Sequence, residues 1–323
     1  MIVVTGGEGF IGQNLVQELT RRGYVGVVSL DTKSETLDSI FSWLMEHAKE
    51  IDCIFHLGAI TDTTIMDRNL FDEYNVTASM FIWNLCAEHN IPLIYASSAA
   101  TYGDGEEGFD DEKDILKLRP LNPYGWSKQQ FDVWAETQEK YPESWYGLKF
   151  FNVYGYGEAH KGKMASVVYQ KYLEIKDNQD YVNEYVDVEG SFCGALYVNL
   201  FKSHHPDYKD GEQARDFVYV DDVVDVCIWL YENKPISGIY NVGTGKARTF
   251  NDLVYAVFKS LGTMQNISYI DIPKKIRDKY QYFTEAKMLK LKLAGYTKIF
   301  HELEEGVSKY INKLKDENCQ HYS

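Results

Sequence analysis

The chain opens on Met1-Ile-Val-Val-Thr5, an apolar run too short for a helix, followed at once by Gly6-Gly-Glu-Gly9-Phe-Ile-Gly12. An amphipathic pattern then starts at Asn14, with Leu15, Val16 and Leu19. Strand, glycine turn and helix in that order constrain the fold more than any other stretch. The glycines allow a tight turn and a close backbone approach to a pyrophosphate, which rests on the N–H groups at the helix start. The spacing is G-x-x-G-x-x-G, not G-x-G-x-x-G, and in isolation it could be a plain strand–helix turn. Val27-Val28-Ser29-Leu30 ends in Asp31. An acid at the end of a second strand can accept hydrogen bonds from an adenosine ribose. Dinucleotide binding at Gly6, Gly9, Phe10, Ile11, Gly12 and Asp31 is therefore expected.

Apolar strands recur at Ile51–Leu57, Ile91–Ser97, Tyr146–Val153 and Gly238–Val242, separated by helical patterns such as Leu70–His89 and Ser127–Lys140. Alternating strands and helices predict an α/β fold with a Rossmann-type, doubly wound parallel sheet. Between Asp31 and Ile51 only one helix fits, Glu35–Lys49, so the sheet reads as trimmed by one strand. From residue 159 the character changes. Residues 176–215 are rich in Tyr, Asp, Asn and His with little periodicity, and read as a loop-rich insertion with a hairpin ending at Leu200-Phe201. The predicted division is a dinucleotide-binding domain at 1–158 plus 216–247. A smaller, discontinuous α/β substrate domain takes 159–215 plus 248–323.

A length of 323 residues supports a large domain and a smaller lobe with an ample core. No apolar run approaches the roughly 18 residues of a membrane span. The first strand begins at the N-terminus, so no signal peptide is expected. A net charge of −15 argues against nucleic acid and anionic membrane as partners. The five cysteines are scattered without a C-x-x-C pair, which fits reduced thiols in a cytoplasmic protein and no zinc site. His160, His204 and His205 show no metal-ligand spacing, and no metal is expected.

Tyr124-Gly-Trp-Ser-Lys128 follows Ser97-Ser98 by about 26 residues. On a helix the i,i+4 spacing puts the phenol and the ammonium on one face, where the cation can lower the phenol's pKa from about 10. A phenol so placed can act as a base at neutral pH. On a surface helix the same spacing is ordinarily a solvated pair.

Together, Gly6–Gly12, Ala96-Ser97-Ser98, Tyr124–Lys128, Phe151-Asn152-Val153-Tyr154-Gly155 and Arg215-Asp-Phe-Val-Tyr219 resemble the extended short-chain dehydrogenase/reductase family. Its members are mainly NAD(P)-dependent nucleotide-sugar epimerases and dehydratases. Tyr95-Ala-Ser-Ser-Ala-Ala-Thr-Tyr-Gly103, His160-Lys161-Gly-Lys-Met-Ala-Ser166, Leu200-Phe-Lys-Ser-His-His-Pro-Asp-Tyr208 and Lys279-Tyr-Gln-Tyr-Phe-Thr284 are similar to its heptose 6-epimerases. These invert C6 of an ADP-linked glycero-manno-heptose, through a 6-keto intermediate, for the lipopolysaccharide inner core. The resemblance implies Tyr124 as catalytic base, Lys128 on the nicotinamide ribose, Ser98 on the reacting hydroxyl and Lys161 as second acid/base.

It further implies Lys33, Leu57, Gly58, Ala59 and Asn75 as cofactor contacts, and Asn152, His160, Ser166, Lys202, Arg215 and Tyr280 beside the substrate. Bland readings stand next to these. Lys161 lies in a polar loop, Asn152 could cap a turn, and Arg215 could pair with Asp216 or Asp221 instead of a diphosphate. The resemblance implies NADP, whereas Asp31 favours NAD, so the cofactor is NADP or NAD. A homo-oligomer is implied as well. The alternative reading is another nucleotide-sugar epimerase or dehydrogenase, with C4 chemistry or a different nucleotide-heptose.

Overall fold

The computed structural model describes residues 1–185, 198–277 and 280–320. The chain begins with β1 (Ile2–Thr5), α1 (Phe10–Arg21), β2 (Val27–Leu30), α2 (Leu37–His47) and β3 (Cys53–His56). A short helix α3 (Arg68–Phe71) runs through a π-helical stretch, Asp72–Thr77, into α4 (Ala78–His89). Next come β4 (Leu93–Ser98), α5 (Pro123–Glu136), β5 (Trp145–Phe150), β6 (Asn152–Tyr154), α6 (Val167–Tyr185) and β7 (Val198–Phe201). β8 (Ala214–Tyr219), α7 (Val220–Asn233), β9 (Gly238–Val242), β10 (Ala247–Thr249) and α8 (Phe250–Leu261) follow. The chain ends with β11 (Ile267–Ile270), α9 (Lys274–Arg277), α10 (Leu289–Leu293) and α11 (Leu303–Gln320).

Two compact units result. The first comprises Met1–Phe151, Val220–Gly245 and Glu285–Ile299; the second comprises Asn152–Tyr219, Lys246–Thr284 and Phe300–Ser323. Residues 152–158, 216–219, 246–247 and 285–299 thus fall on the other side of the boundaries drawn from sequence. The first unit holds a six-stranded parallel sheet in the order β2-β1-β3-β4-β5-β9. β1 and β3 are wholly buried, because helices cover both faces and leave no polar side to alternate with. α1 packs with α7, while α2, α4 and α5 pack together. In that second group Trp83 meets Phe131, Trp134 and Trp145 edge-on. The sheet ends at β2, and the chain recrosses directly to β3 on the far side of β1. The expected missing strand is absent among the described residues.

Several boundaries differ from the sequence reading. α1 begins at Phe10, not Asn14, because the helix starts directly from the glycine turn, with Gly9 as its N-cap and Phe10 already buried. α5 begins at Pro123, not Ser127: Asn122 accepts from Gly125 N at 2.8 Å as N-cap, and proline is favoured in the first turn. The predicted strand Tyr146–Val153 divides at Phe151, whose N–H gives its bond to Val242 O at 3.1 Å. Beyond it Asn152–Tyr154 pairs with β8 in the second unit.

That unit contains a three-stranded sheet, β10-β8-β6, and a parallel pair, β11-β7. α8 packs against α11, burying Leu253, Val254, Val257, Val307 and Ile311. The segment expected to be loop-rich from 176 is helical as far as Tyr185. β7 pairs with β11, so the end expected of a hairpin joins a distant strand instead. Residues 186–197 of that segment lie outside the described residues. No helix among those described is long and apolar enough to cross a membrane.

One buried histidine ties the first unit together. His56 on β3 meets Thr5 Oγ1 of β1 at 2.7 Å and Ser79 Oγ of α4 at 2.9 Å. Burial, and secondarily the Lys128 charge, push its pKa down to about 3 from 6.5. The unfolded chain therefore binds one more proton than the folded one between those values, and stability is lost as pH falls through that window. Wild type should lose about 1.4 kcal/mol per pH unit below 6.5 relative to His56→Gln, as read from urea unfolding at several pH values. Parallel curves would remove the assignment.

Candidate active site

The residues expected to hold a cofactor lie at the carboxyl edge of the first sheet, where β1 has β2 on one side and β3 on the other. Gly6 takes a φ of +70°, and a Cβ there would overlap the Gly58 backbone. A Cβ on Gly12 would overlap the Gly6 carbonyl, so α1 can start against the turn only with glycine at that position. The N-cap of α1 is Gly9, which brings no side-chain acceptor, and its first turn carries no acid. Such a helix start suits a pyrophosphate. Asp31 is buried; its carboxylate accepts Glu8 N at 2.9 Å and Lys33 N at 3.0 Å, which pins the glycine turn to β2. Lys33 Nζ donates to Glu8 O at 2.7 Å. Leu57, Gly58 and Ala59 continue from β3 opposite this turn. The uncapped, acid-free helix start and the close glycine turn fit a dinucleotide.

Asn75 sits in the π-helical stretch, wholly buried. Its side chain accepts from Ile60 N at 2.8 Å, and donates to Ile60 O and to Ser127 Oγ, both at 3.0 Å. Ser127 Oγ donates to Tyr124 O at 2.7 Å, so the bulge that aims Asn75 inward also anchors the first turn of α5.

Tyr124 and Ser98 lie together, with Lys128 one turn further along α5. The phenol shares a hydrogen bond with Ser98, whose Oγ also accepts from Ala100 N at 3.1 Å. Ser97 instead donates to Asp132 Oδ2 at 2.6 Å, leaving Ser98 as the serine directed at the phenol. Lys128 Nζ donates to Ala96 O at 2.8 Å. Burial pushes the Tyr124 pKa up, with the Ser98 bond pulling down and Asp132 pushing up. The expected lowering by Lys128 is not realised, because the ammonium is directed at the strand carbonyl. Lys128 itself is pushed down to about 8 by burial, against the attraction of Asp132.

The second unit carries the remaining implied residues. Glu158 is wholly buried; its carboxylate accepts Gly155 N at 3.3 Å, Ser166 N at 2.5 Å and Ser166 Oγ at 2.6 Å. Its carbonyl accepts Lys161 N at 2.9 Å, closing a loop with Gly162 at φ +53°. Burial lowers the Lys161 pKa, opposed by the Glu158 charge. The Ser166 hydroxyl is committed to that brace, which makes it a support of the Lys161 loop rather than the substrate contact expected. His160 and Asn152 are exposed.

Arg215, 8% exposed, donates to Ala214 O at 2.9 Å and to Gln281 O, and lies over the Tyr280 and Phe250 rings. It pairs with neither Asp216 nor Asp221. A buried guanidinium answered by carbonyls and rings retains its charge for an anion such as a diphosphate. Lys202 is half-exposed, 3.8 Å from Asp271. Among the described residues no group of three His, Cys, Asp or Glu side chains could hold a metal ion.

Residues 2–243 match the NAD dependent epimerase/dehydratase family. The chain belongs to that family. Among curated members it is 44% identical to the ADP-L-glycero-D-manno-heptose-6-epimerase of Fusobacterium nucleatum, covering 96% of this chain and 97% of that one. It is 43% identical to the enzyme of the same name from Nitratidesulfovibrio vulgaris, covering 97% of each. The crystal structure of the Helicobacter pylori enzyme of that name superposes with a TM-score of 0.74 at 28% identity, over 97% of this chain and 96% of that one. The NAD-dependent family accords with the dinucleotide cradle of β1, α1 and β2.

Asp132, Lys149, His56 and Glu158 escaped the sequence reading. A lysine inside the otherwise apolar strand Trp145–Phe150 was the legible sign for Lys149. The serine geometry separates two substitutions. Ser98→Ala should lower kcat about a hundredfold with little change in Tm. Ser97→Ala, which strips a donor from a buried carboxylate, should lower stability by about 1–3 kcal/mol. Steady-state kinetics and thermal melts of both variants check this, and the reverse pattern would exchange the two roles.

Proposed function

We propose that this protein inverts C6 of an ADP-linked D-glycero-D-manno-heptose through a 6-keto intermediate, supplying a lipopolysaccharide inner-core precursor. The observation that carries this reading is the identity of 44%, along nearly the whole chain, with a heptose 6-epimerase. Inversion at a carbinol requires its oxygen to be met from two directions, which one fixed phenol cannot serve. Tyr124 and Lys161 are the two acid/base groups, each holding or releasing the C6 hydroxyl proton in one of the two substrate poses. Ser98 orients the oxygen toward Tyr124, and Arg215 binds the diphosphate. Bound cofactor supplies the hydride acceptor and donor. A simple dehydrogenase, which moves hydride on one face only, has no use for a second base at Lys161.

NAD is the proposed cofactor over NADP. Asp31 is a buried acid at the adenosine-ribose position, and a carboxylate repels a 2′-phosphate. The neighbouring cation, Lys33, has its Nζ bonded to Glu8 O.

Incubation with ADP-D-glycero-D-manno-heptose, followed by NMR at C6, should show conversion; none with either NAD or NADP would overturn the reading. Tyr124→Phe and Lys161→Met should each lose at least about a hundredfold in kcat while retaining cofactor. Full activity in Lys161→Met would remove the two-base assignment. NAD should bind at least about tenfold tighter than NADP by fluorescence titration, a gap that Asp31→Ala should narrow.

A further inference from the structure

The buried end of β4 holds more charge than the reaction uses. Lys128 and Lys149 are 5% and 2% exposed, and Asp132 is 0% exposed. Asp132 lies four residues after Lys128 on α5, the spacing at which a lysine and an aspartate ordinarily pair. They do not pair here. Asp132 Oδ2 has its ion pair with Lys149 Nζ of β5, at 3.7 Å, while Lys128 Nζ donates to Ala96 O at 2.8 Å.

The rest of the cluster holds this arrangement. Asp132 accepts Ser97 Oγ at 2.6 Å and Tyr95 OH at 3.1 Å, both from β4. Lys149 Nζ donates to Thr101 Oγ1 at 2.7 Å and lies 4.6 Å from the centre of the Tyr102 ring. Thr101 Oγ1 in turn donates to Ser98 O at 2.8 Å, so Lys149 also supports the catalytic serine's backbone. In the cluster, His56 of β3 feels the Lys128 charge, while Glu136 of α5 and Asp111 of the loop before α5 face Lys149. Of the carboxylates, Asp132 acts on both lysines, while Glu136 and Asp111 act on Lys149.

We propose that Lys149 is a positioning residue for the Tyr124–Lys128 site: by occupying Asp132 it keeps Lys128 from collapsing onto the carboxylate one helical turn away. Lys128 is thereby held on the Ala96 carbonyl of β4, the strand that ends in Ser98. The inference rests on the reading of Tyr124 and Lys128 as the acid/base pair.

The test is Lys149→Met in the full-length protein, with the Lys128 ammonium titrated by NMR on Nζ-labelled lysine and assigned by its loss in Lys128→Met. In wild type the ammonium is held down to about 8. In Lys149→Met it should titrate higher by about one unit or more, because it now pairs with Asp132. kcat should fall at least about tenfold, and Lys149→Arg should restore both. In the Asp132→Asn background the same Lys149→Met change should leave Lys128 unmoved, a coupling that a merely structural lysine would not produce. An unshifted Lys128 titration in Lys149→Met overturns the inference. If Lys149→Met does not fold, Asp132→Asn with and without it decides: a change in Lys128 of the size expected for Lys149→Met overturns it, and none supports it. The NMR readout needs no turnover, so a failed heptose assay counts against the proposed function alone.

Discussion

The first unit depends on how closely α1 approaches the end of β1. Without side chains at Gly6 and Gly12, the helix starts directly on the Gly6 carbonyl. Asp31 reaches across from β2 to hold the turn's backbone, and His56 joins β1 to β3 and α4. This contact sets the edge of the sheet from which the glycine turn and Ser98 both rise. Open parallel sheets gather ligands at that edge because the chain switches direction there.

At the same edge, charge is handled by burial and by partners that satisfy it. Asp132 and Lys149 lie too deep to be hydrated, and such a pair is retained only when hydrogen bonds answer its remaining valences. Tyr95, Ser97 and Thr101 provide them. The second unit solves a similar problem differently. A single buried carboxylate, Glu158, gathers two backbone N–H groups and a hydroxyl and so shapes the loop that presents Lys161.

Much of this was legible in the sequence. The glycine turn, the acid after β2, the parallel order of elements and the shortened path after Asp31 follow from local pattern, since periodicity and glycine placement act on neighbouring residues. The resemblance pointed to Ser98, and the fold sets that serine against the Tyr124 phenol. Element boundaries were less so: α5 starts earlier than its apolar pattern because Asn122 and Pro123 define its cap. The helical run before β4 hid a π-helical stretch, whose cause is the inward pull on Asn75 from Ile60 and Ser127.

What the sequence determined alone is the kind of protein: a strand–glycine turn–helix dinucleotide cradle followed by Ser98, Tyr124 and Lys128 in the order a nucleotide-sugar epimerase needs. Short-range spacing carries that information. What only the tertiary structure decided is which groups answer which charges. Lys149 finds Thr101 and Asp132, Ser166 is committed to Glu158, and Arg215 lies among carbonyls and rings instead of a neighbouring aspartate. The physical reason is that buried charge must be satisfied by whatever the fold brings within about 3 Å, and those partners lie on strands and loops that only packing brings together.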